Sequence, residues 1–304
     1  MGQAGYNTIL YEKDKEEPHI AYITLNRPSK TNAISIGPTE VTGEIIDAVN
    51  RASDDNEVKV VIFKGSGDNF SAGFDLSTVY RVYGGRPGVR PQQARRLQMD
   101  NDHVLGMPRS ILNCNKVTIA QIQGWCIEAG MWIVECCDIA VAAKNAKFAH
   151  RGQRLAFGGM PLMPLELLQG HTKKLTEQLI TGRTFSAEEA EQVGIITKAV
   201  ELEELESEVH SLAKAICLLP FDAIVMGKTC RRLVYDAAGM NSVMAQIAFH
   251  TLGTNIVYAE DEKEIVFIRD REMTGEREAF HKLHQSFEEA LGKTKYFKSY
   301  LPPK

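Results

Sequence analysis

Phe70-Ser71-Ala72-Gly73-Phe74-Asp75-Leu76 decides how this chain is read. These residues follow Lys59–Lys64 (Lys-Val-Val-Ile-Phe-Lys), a β-branched run closed by Gly65-Ser66-Gly67-Asp68, which reads as a buried strand and its turn. Ser71, Ala72 and Gly73 are small and leave the backbone of the next turn uncovered. Gly124-Trp125-Cys126-Ile127-Glu128-Ala129-Gly130 repeats the arrangement after another apolar run, Val117–Ile122. One backbone N–H from each turn would form a socket for a negatively charged oxygen. Chemistry that gathers charge on a carbonyl oxygen needs such a socket, because preorganised donors in a dry site are often its largest source of rate. Tight packing of strand against helix is the other account of small residues in these turns.

Working outward, Tyr6–Glu12 and Ile20–Leu25 read as strands, and Ile139–Ala143 repeats the buried-strand signature. Pro38 suits the first turn of a helix that places Val41, Ile45, Ala48, Val49 and Ala52 on one face. Strands alternating with helices predict an α/β layered core. Beyond Leu202 the pattern becomes helical: Leu205, Val209, Leu212, Ala213 and Ile216 form one stripe, and Ala223–Tyr235 and Glu276–Ala290 also suit helices. This divides the chain into a core over 1–205 and a helical C-terminal oligomerisation region over 206–304. Residues 77–110 differ, with the breaker cluster Gly84–Gly88 and the Arg-rich Arg90–Arg96. They read either as a lid over the site or as a solvated excursion.

The 304 residues suffice for a substantial core, and the composition, 44% hydrophobic and 24% charged, is that of a soluble globular protein. A net charge of −4 argues against a nucleic-acid surface, and no long uncharged apolar span suggests a membrane. The six cysteines show neither a Cys-x-x-Cys pair nor metal-ligand spacing with histidine, so they read as buried small hydrophobes in a reducing compartment. No metal site is expected. No basic segment followed by an apolar stretch opens the chain, which makes the cytoplasm the expected location.

The chain resembles the crotonase, or enoyl-CoA hydratase/isomerase, superfamily. The resemblance runs from about Tyr6 to about Val200. Its landmarks come in the family's order: Leu25-Asn26-Arg27-Pro28 with Asn32-Ala33; Phe70–Asp75; Lys116–Gly124; Cys137-Asp138-Ile139; and Leu179-Ile180-Thr181-Gly182 followed by Ser186-Ala187-Glu188-Glu189-Ala190. It implies a spiral of ββα units, a helical C-terminal region, and a homotrimer or dimer of trimers. It also implies an acyl-CoA substrate, with coenzyme A entering as part of that substrate and no permanently bound cofactor. By position the oxyanion donors would be the amides of Phe74 and Ala129. The two glutamates with which the family's hydratases manage water fall here on Trp132 and Gly152. Without that acid/base pair, ordinary hydration would lose a contribution of roughly 10²–10⁴-fold.

Two residues are candidates to move protons instead. Glu128 adjoins the donor Ala129, where the family usually carries glycine. It would either face the pocket as a base or complement the following helix N-terminus, a contact worth about 0.3–1 kcal/mol. His150 lies two residues after Phe148, near the second glutamate position, and titrates near neutral pH. It is similar to a histidine of the family branch that cleaves carbon–carbon bonds in β-diketones. The acid expected about nine residues further on is missing, for Gly159 and Met160 stand there. A histidine hydrogen-bonded at a strand end is the plainer alternative. Arg151 and Arg154 would favour neutral His150 if they point its way.

Among substrate-binding candidates, Ala72, Gly73 and Asp75 belong to the first turn, where Asp75 would fix the turn rather than react. Arg27 and Lys30 would meet coenzyme A phosphates or form salt bridges. Trp132 and Phe157 would line an acyl pocket or pack in the core. His103 would reach the pocket or point to water. Glu135 and Asp138 read as structural. The leading expectation is an enzyme that acts on an acyl-CoA thioester through an enolate. Hydrolysis of a β-diketone and a non-catalytic assembly subunit are the alternatives.

Overall fold

The computed structural model describes residues 5–77, 92–155, 165, 168–240, 267–297 and 299. Strand β1 (Ile9–Lys13) runs antiparallel to β2 (Ile20–Leu25), with Ile9 opposite Leu25. Helix α1 (Val41–Asp54) follows and buries Val41, Ile45, Ala48, Val49 and Ala52, the stripe its spacing predicts. Pro38 lies in a turn before this helix rather than inside it. That turn has its own bonds: Val41 N–H donates to Ser35 Oγ and Gly37 N–H to Thr42 Oγ.

Then come β3 (Val60–Gly65), α2 (Gln93–Met99), a π-helical turn (Asp100–Val104), α3 (Gly106–Asn113), β4 (Val117–Ile122), β5 (Trp125–Ile127) and α4 (Ala129–Cys136). Strands β6 (Ile139–Ala143) and β7 (Lys147–Ala149) lead to a 3-10 turn (Gly152–Leu155) and α5 (Thr172–Thr181). The series continues with β8 (Phe185–Ser186), α6 (Ala187–Val193), β9 (Lys198–Val200), α7 (Leu205–Cys217), α8 (Phe221–Ala237), α9 (Phe267–Thr274) and α10 (Glu276–Gly292).

Six strands form one sheet in the order β1-β2-β3-β4-β6-β9, parallel from β2 onward; β5, β7 and β8 form a second. In the middle of the chain the strands alternate, with β4 and β6 in the large sheet and β5 and β7, which follow them, in the small one. This is the spiral of ββα units that the resemblance implied.

The inner strands β2, β3, β4 and β6 are covered on both faces, which is why they read as largely apolar runs. On β3, Val61 and Phe63 join the main core with α1 and α4, while Val60 and Ile62 face the other way. There Leu205, Val209, Ala213 and Cys217 of α7 cover them. A boundary between 205 and 206 therefore falls in the first turn of a helix that closes the core sheet. Further on, Phe267, Ala279 and Leu283 of α9 and α10 pack with Leu155, against the 3-10 turn that follows His150.

Candidate active site

The turns containing Phe74 and Ala129 are in direct contact. Ser71 and Cys126 form a parallel bridge: Ser71 N–H donates to Trp125 O at 2.8 Å and Ile127 N–H to Ser71 O at 2.9 Å. A Cβ on Gly73 would stand 2.8 Å from Ile127 O and 2.9 Å from the Glu128 Cβ, and one on Gly130 would stand 2.9 Å from the Ser71 Cβ. The small residues in both motifs let two backbones approach this closely. Phe74 is anchored from its flanks, because Ile34 N–H donates to Gly73 O and Asp75 N–H to Ile34 O. Among the described residues, neither the Phe74 N–H nor the Ala129 N–H donates to a protein acceptor. Each turn thus keeps one backbone donor that is not taken up by a protein acceptor.

Asp75 braces the first turn. Its carboxylate takes hydrogen bonds from Arg27 at 2.7 Å, from Lys30 at 3.3 Å and from the Ser77 hydroxyl at 2.5 Å. Burial alone would push this carboxyl up. The Ser77 hydrogen bond and the Arg27 and Lys30 charges prevail, holding it below the ordinary carboxylate range. Arg27 also donates to Ala33 O, so its guanidinium is engaged inside the turn, while Lys30 stays half exposed. Ala72 N–H donates to Thr31 O, and Gly73 N–H to Ser71 Oγ.

Strand register brings the proton carriers together. Ile127 of β5 lies beside Ala149 of β7, so the residues one step further, Glu128 and His150, become neighbours. Glu128 N–H donates to Ala149 O, and its carboxylate accepts the Arg151 N–H and lies 3.5 Å from His150 Nδ1. The carboxylate does not cap α4, although Glu128 occupies the N-cap position. Its backbone takes φ +47° and ψ −116°, a conformation that favours glycine and costs a side chain on the order of 1–3 kcal/mol.

The other imidazole nitrogen, Nε2, lies 3.1 Å from Glu135 Oε1. Glu135 thus belongs to this constellation, whereas sequence reasoning assigned it to structure. The signal was present: residues seven apart on a helix share a face, and 128 and 135 flank α4 by that spacing. Exposure falls along the chain of three, with the Glu128 side chain 16% exposed, His150 3% and Glu135 0%. Glu128 is the most exposed of the three.

Other expectations resolve differently. Arg151 and Arg154 turn away from His150: Arg151 Nη2 donates to Thr184 Oγ1, and Arg154 reaches Thr181 O, Glu288 and His284. It is His284 on α10 that they affect. Burial first, then the Arg151 and Arg154 charges, push its imidazole down to about 2. Trp132 is buried and meets Phe74 edge-to-face at 5.1 Å, so it packs under the first donor. Gly152 starts the 3-10 turn and is buried.

Asp138 accepts the Thr118 N–H and pairs with Lys228 at 2.6 Å and Arg231 at 3.0 Å. His103 lies in the π-helical turn and lines a separate cavity of about 610 Å³ with Pro38 and Arg95. Phe157, Gly159, Met160, the Gly84–Gly88 cluster and residues 78–91 of the possible lid lie outside the described residues. Among the described residues no group of three His, Cys, Asp or Glu side chains is placed to hold a metal ion, and no single helix is long and apolar enough to cross a membrane.

Known proteins share this architecture and sequence. The profile of the enoyl-CoA hydratase/isomerase family matches residues 15–251. A crotonyl-CoA hydratase of Syntrophomonas wolfei is 32% identical over 216 residues, 69% of this chain and 76% of its own. A hydroxycinnamoyl-CoA hydratase-lyase of Pseudomonas fluorescens is 28% identical over 228 residues, 72% of this chain and 79% of its own. Among solved structures, an enoyl-CoA hydratase/isomerase from Xanthobacter autotrophicus Py2 superposes with a TM-score of 0.75 at 25% identity, covering 93% of this chain and 99% of that one.

Proposed function

This chain belongs to the enoyl-CoA hydratase/isomerase family of the crotonase superfamily, and from that premise we propose that it moves a proton within an acyl-CoA thioester through an oxyanion-stabilised enolate. The reaction class that fits best is migration of a double bond in an enoyl-CoA. Glu128 takes a proton from the carbon that becomes nucleophilic, the electron pair of that C–H bond shifts toward the thioester, and the carbonyl oxygen gathers charge opposite the Phe74 and Ala129 amides. Return of the proton to another carbon completes the migration. No water or redox partner is consumed. Coenzyme A enters as part of the substrate, and Lys30, half exposed beside Asp75, is the candidate to meet its phosphates.

The observation that carries this reading is the position of Glu128. A carboxylate directly before an oxyanion donor, kept in a backbone conformation that glycine would adopt without strain, has its simplest explanation in chemistry. With Trp132 and Gly152 where the family's hydratases hold glutamates, a single proton-carrying unit suits return of the same proton better than addition of water.

Steady-state assays on a panel of enoyl-CoA isomers test it. Glu128→Gln should lower kcat by about 10²–10⁴-fold with little change in KM. Absence both of turnover and of calorimetric binding for every CoA thioester would overturn it and leave the β-diketone hydrolase and the non-catalytic subunit as the alternatives. A second reading rests on the contact between His150 and Glu135, since a histidine oriented by a buried carboxylate is an arrangement that activates water. Hydrolysis of a β-diketone would then be abolished by His150→Ala, whereas an isomerase would be hurt most by Glu128→Gln.

We also propose a homotrimer or a dimer of trimers. Support comes from the α7–α8 corner and the outer face of α8, where Leu218, Met226, Leu233 and Val234 are all exposed. Sedimentation would show a monomer if this is wrong.

A further inference from the structure

Glu135 sits in a helix that is apolar and buried all round, and a charged group there is costly unless something stabilises it. His150 lies against it, with Nε2 3.1 Å from Glu135 Oε1. An ionised carboxylate only accepts hydrogen bonds, so Glu135 requires the proton of the neutral imidazole to reside on Nε2. The lone pair of Nδ1 is then directed at Glu128, 3.5 Å away.

We propose that Glu135 is a positioning residue: it fixes His150 as the Nε2–H tautomer, so that Nδ1 can relieve Glu128 of the proton taken from the substrate. This rests on the reading of Glu128 as the group that meets the substrate. In the step, the O–H bond of protonated Glu128 breaks as an N–H bond forms at Nδ1. Glu128 becomes a carboxylate again, His150 becomes an imidazolium and Glu135 stays ionised beside it. The reverse transfer returns the proton, and no electrons are gained or lost.

The surroundings favour this assignment. Cys126 on β5 and Cys136 on α4 flank Glu135, and burial followed by the Glu135 charge pushes both thiols up, so they remain protonated. On the other side, Arg151 presents its backbone N–H to Glu128 and sends its guanidinium to Thr184. Within this constellation the imidazole is the group left to exchange protons with Glu128.

Two measurements on the full-length protein test the proposal. Nitrogen-15 NMR of the histidine rings should find neutral His150 as the Nε2–H form in the unaltered protein; the Nδ1–H form would overturn the proposal without any variant. Glu135→Gln should lower kcat on the order of 10²-fold at nearly constant KM, with the acid limb of the kcat profile shifted to lower pH because the imidazolium has lost its counter-charge. An unchanged kcat and pH profile would overturn it. If the unaltered protein turns over no acyl-CoA yet shows the Nε2–H form, the functional reading fails while the tautomer assignment stands.

Discussion

In the turn at 71–75 the backbone reverses through Gly73 at φ +86°, whereas in the turn at 127–130 it reverses through Glu128 at φ +47°. Both turns present one unengaged amide, and each lies against the other. Their difference is one of cost. The first uses the residue that adopts left-handed backbone freely, and its acid, Asp75, is bound up in a salt-bridged brace. The second accepts a strained residue and leaves that residue's carboxylate partly exposed beside an imidazole. On the proposed function, the first turn holds still and the second carries the reactive group.

The largest effect is expected from removing the reactive group while keeping the turn. Glu128→Gly should relieve the strained φ and raise stability by about 1–3 kcal/mol, read by urea denaturation, while activity falls by about 10²–10⁴-fold. A variant both less stable and fully active would erase the distinction between the turns. Breaking the contact between them should come next. Gly73→Ala puts a Cβ within 3 Å of Ile127 O and the Glu128 Cβ, atoms that belong to the second turn. The shift needed to admit it should spoil the alignment of the donors, with kcat falling about 10²-fold. Wild-type kcat in this variant would mean that the turns need no close approach.

The smallest effect concerns the brace. Asp75→Asn should cost about 1.5–3 kcal/mol at neutral pH, the worth of hydrogen bonds to a charged group. Because folding lowers the Asp75 pKa, its contribution is complete above the ordinary value of 3.8 and disappears as pH falls through the lowered folded value. The stability gap between the two proteins should therefore be wide at pH 7 and should shrink below pH 3.8. A gap that does not change with pH would assign the brace to packing rather than charge.

Much of this was legible from residue order. The apolar runs of β3, β4 and β6, the buried stripe of α1 and the small residues of both turns follow from periodicity and backbone sterics, which are local properties. Pro38 misled because the start of α1 is set by Ser35 and Thr42 side chains bonding to nearby amides. What α7 packs against was not legible near 205, for a different reason. A helical stripe is visible in sequence, but the surface it covers is not.

The sequence by itself determined the architecture, the small residues of both turns and the presence of an acid and a histidine among the site candidates. Only the tertiary structure decided how those groups combine. The β5–β7 register set Glu128 against His150, the helix brought Glu135 to the far side of the ring, and Arg151 and Arg154 were drawn off toward α10. A side chain's identity states which proton it can hold. Its partners, and hence the direction in which the proton moves, depend on which distant strands lie side by side.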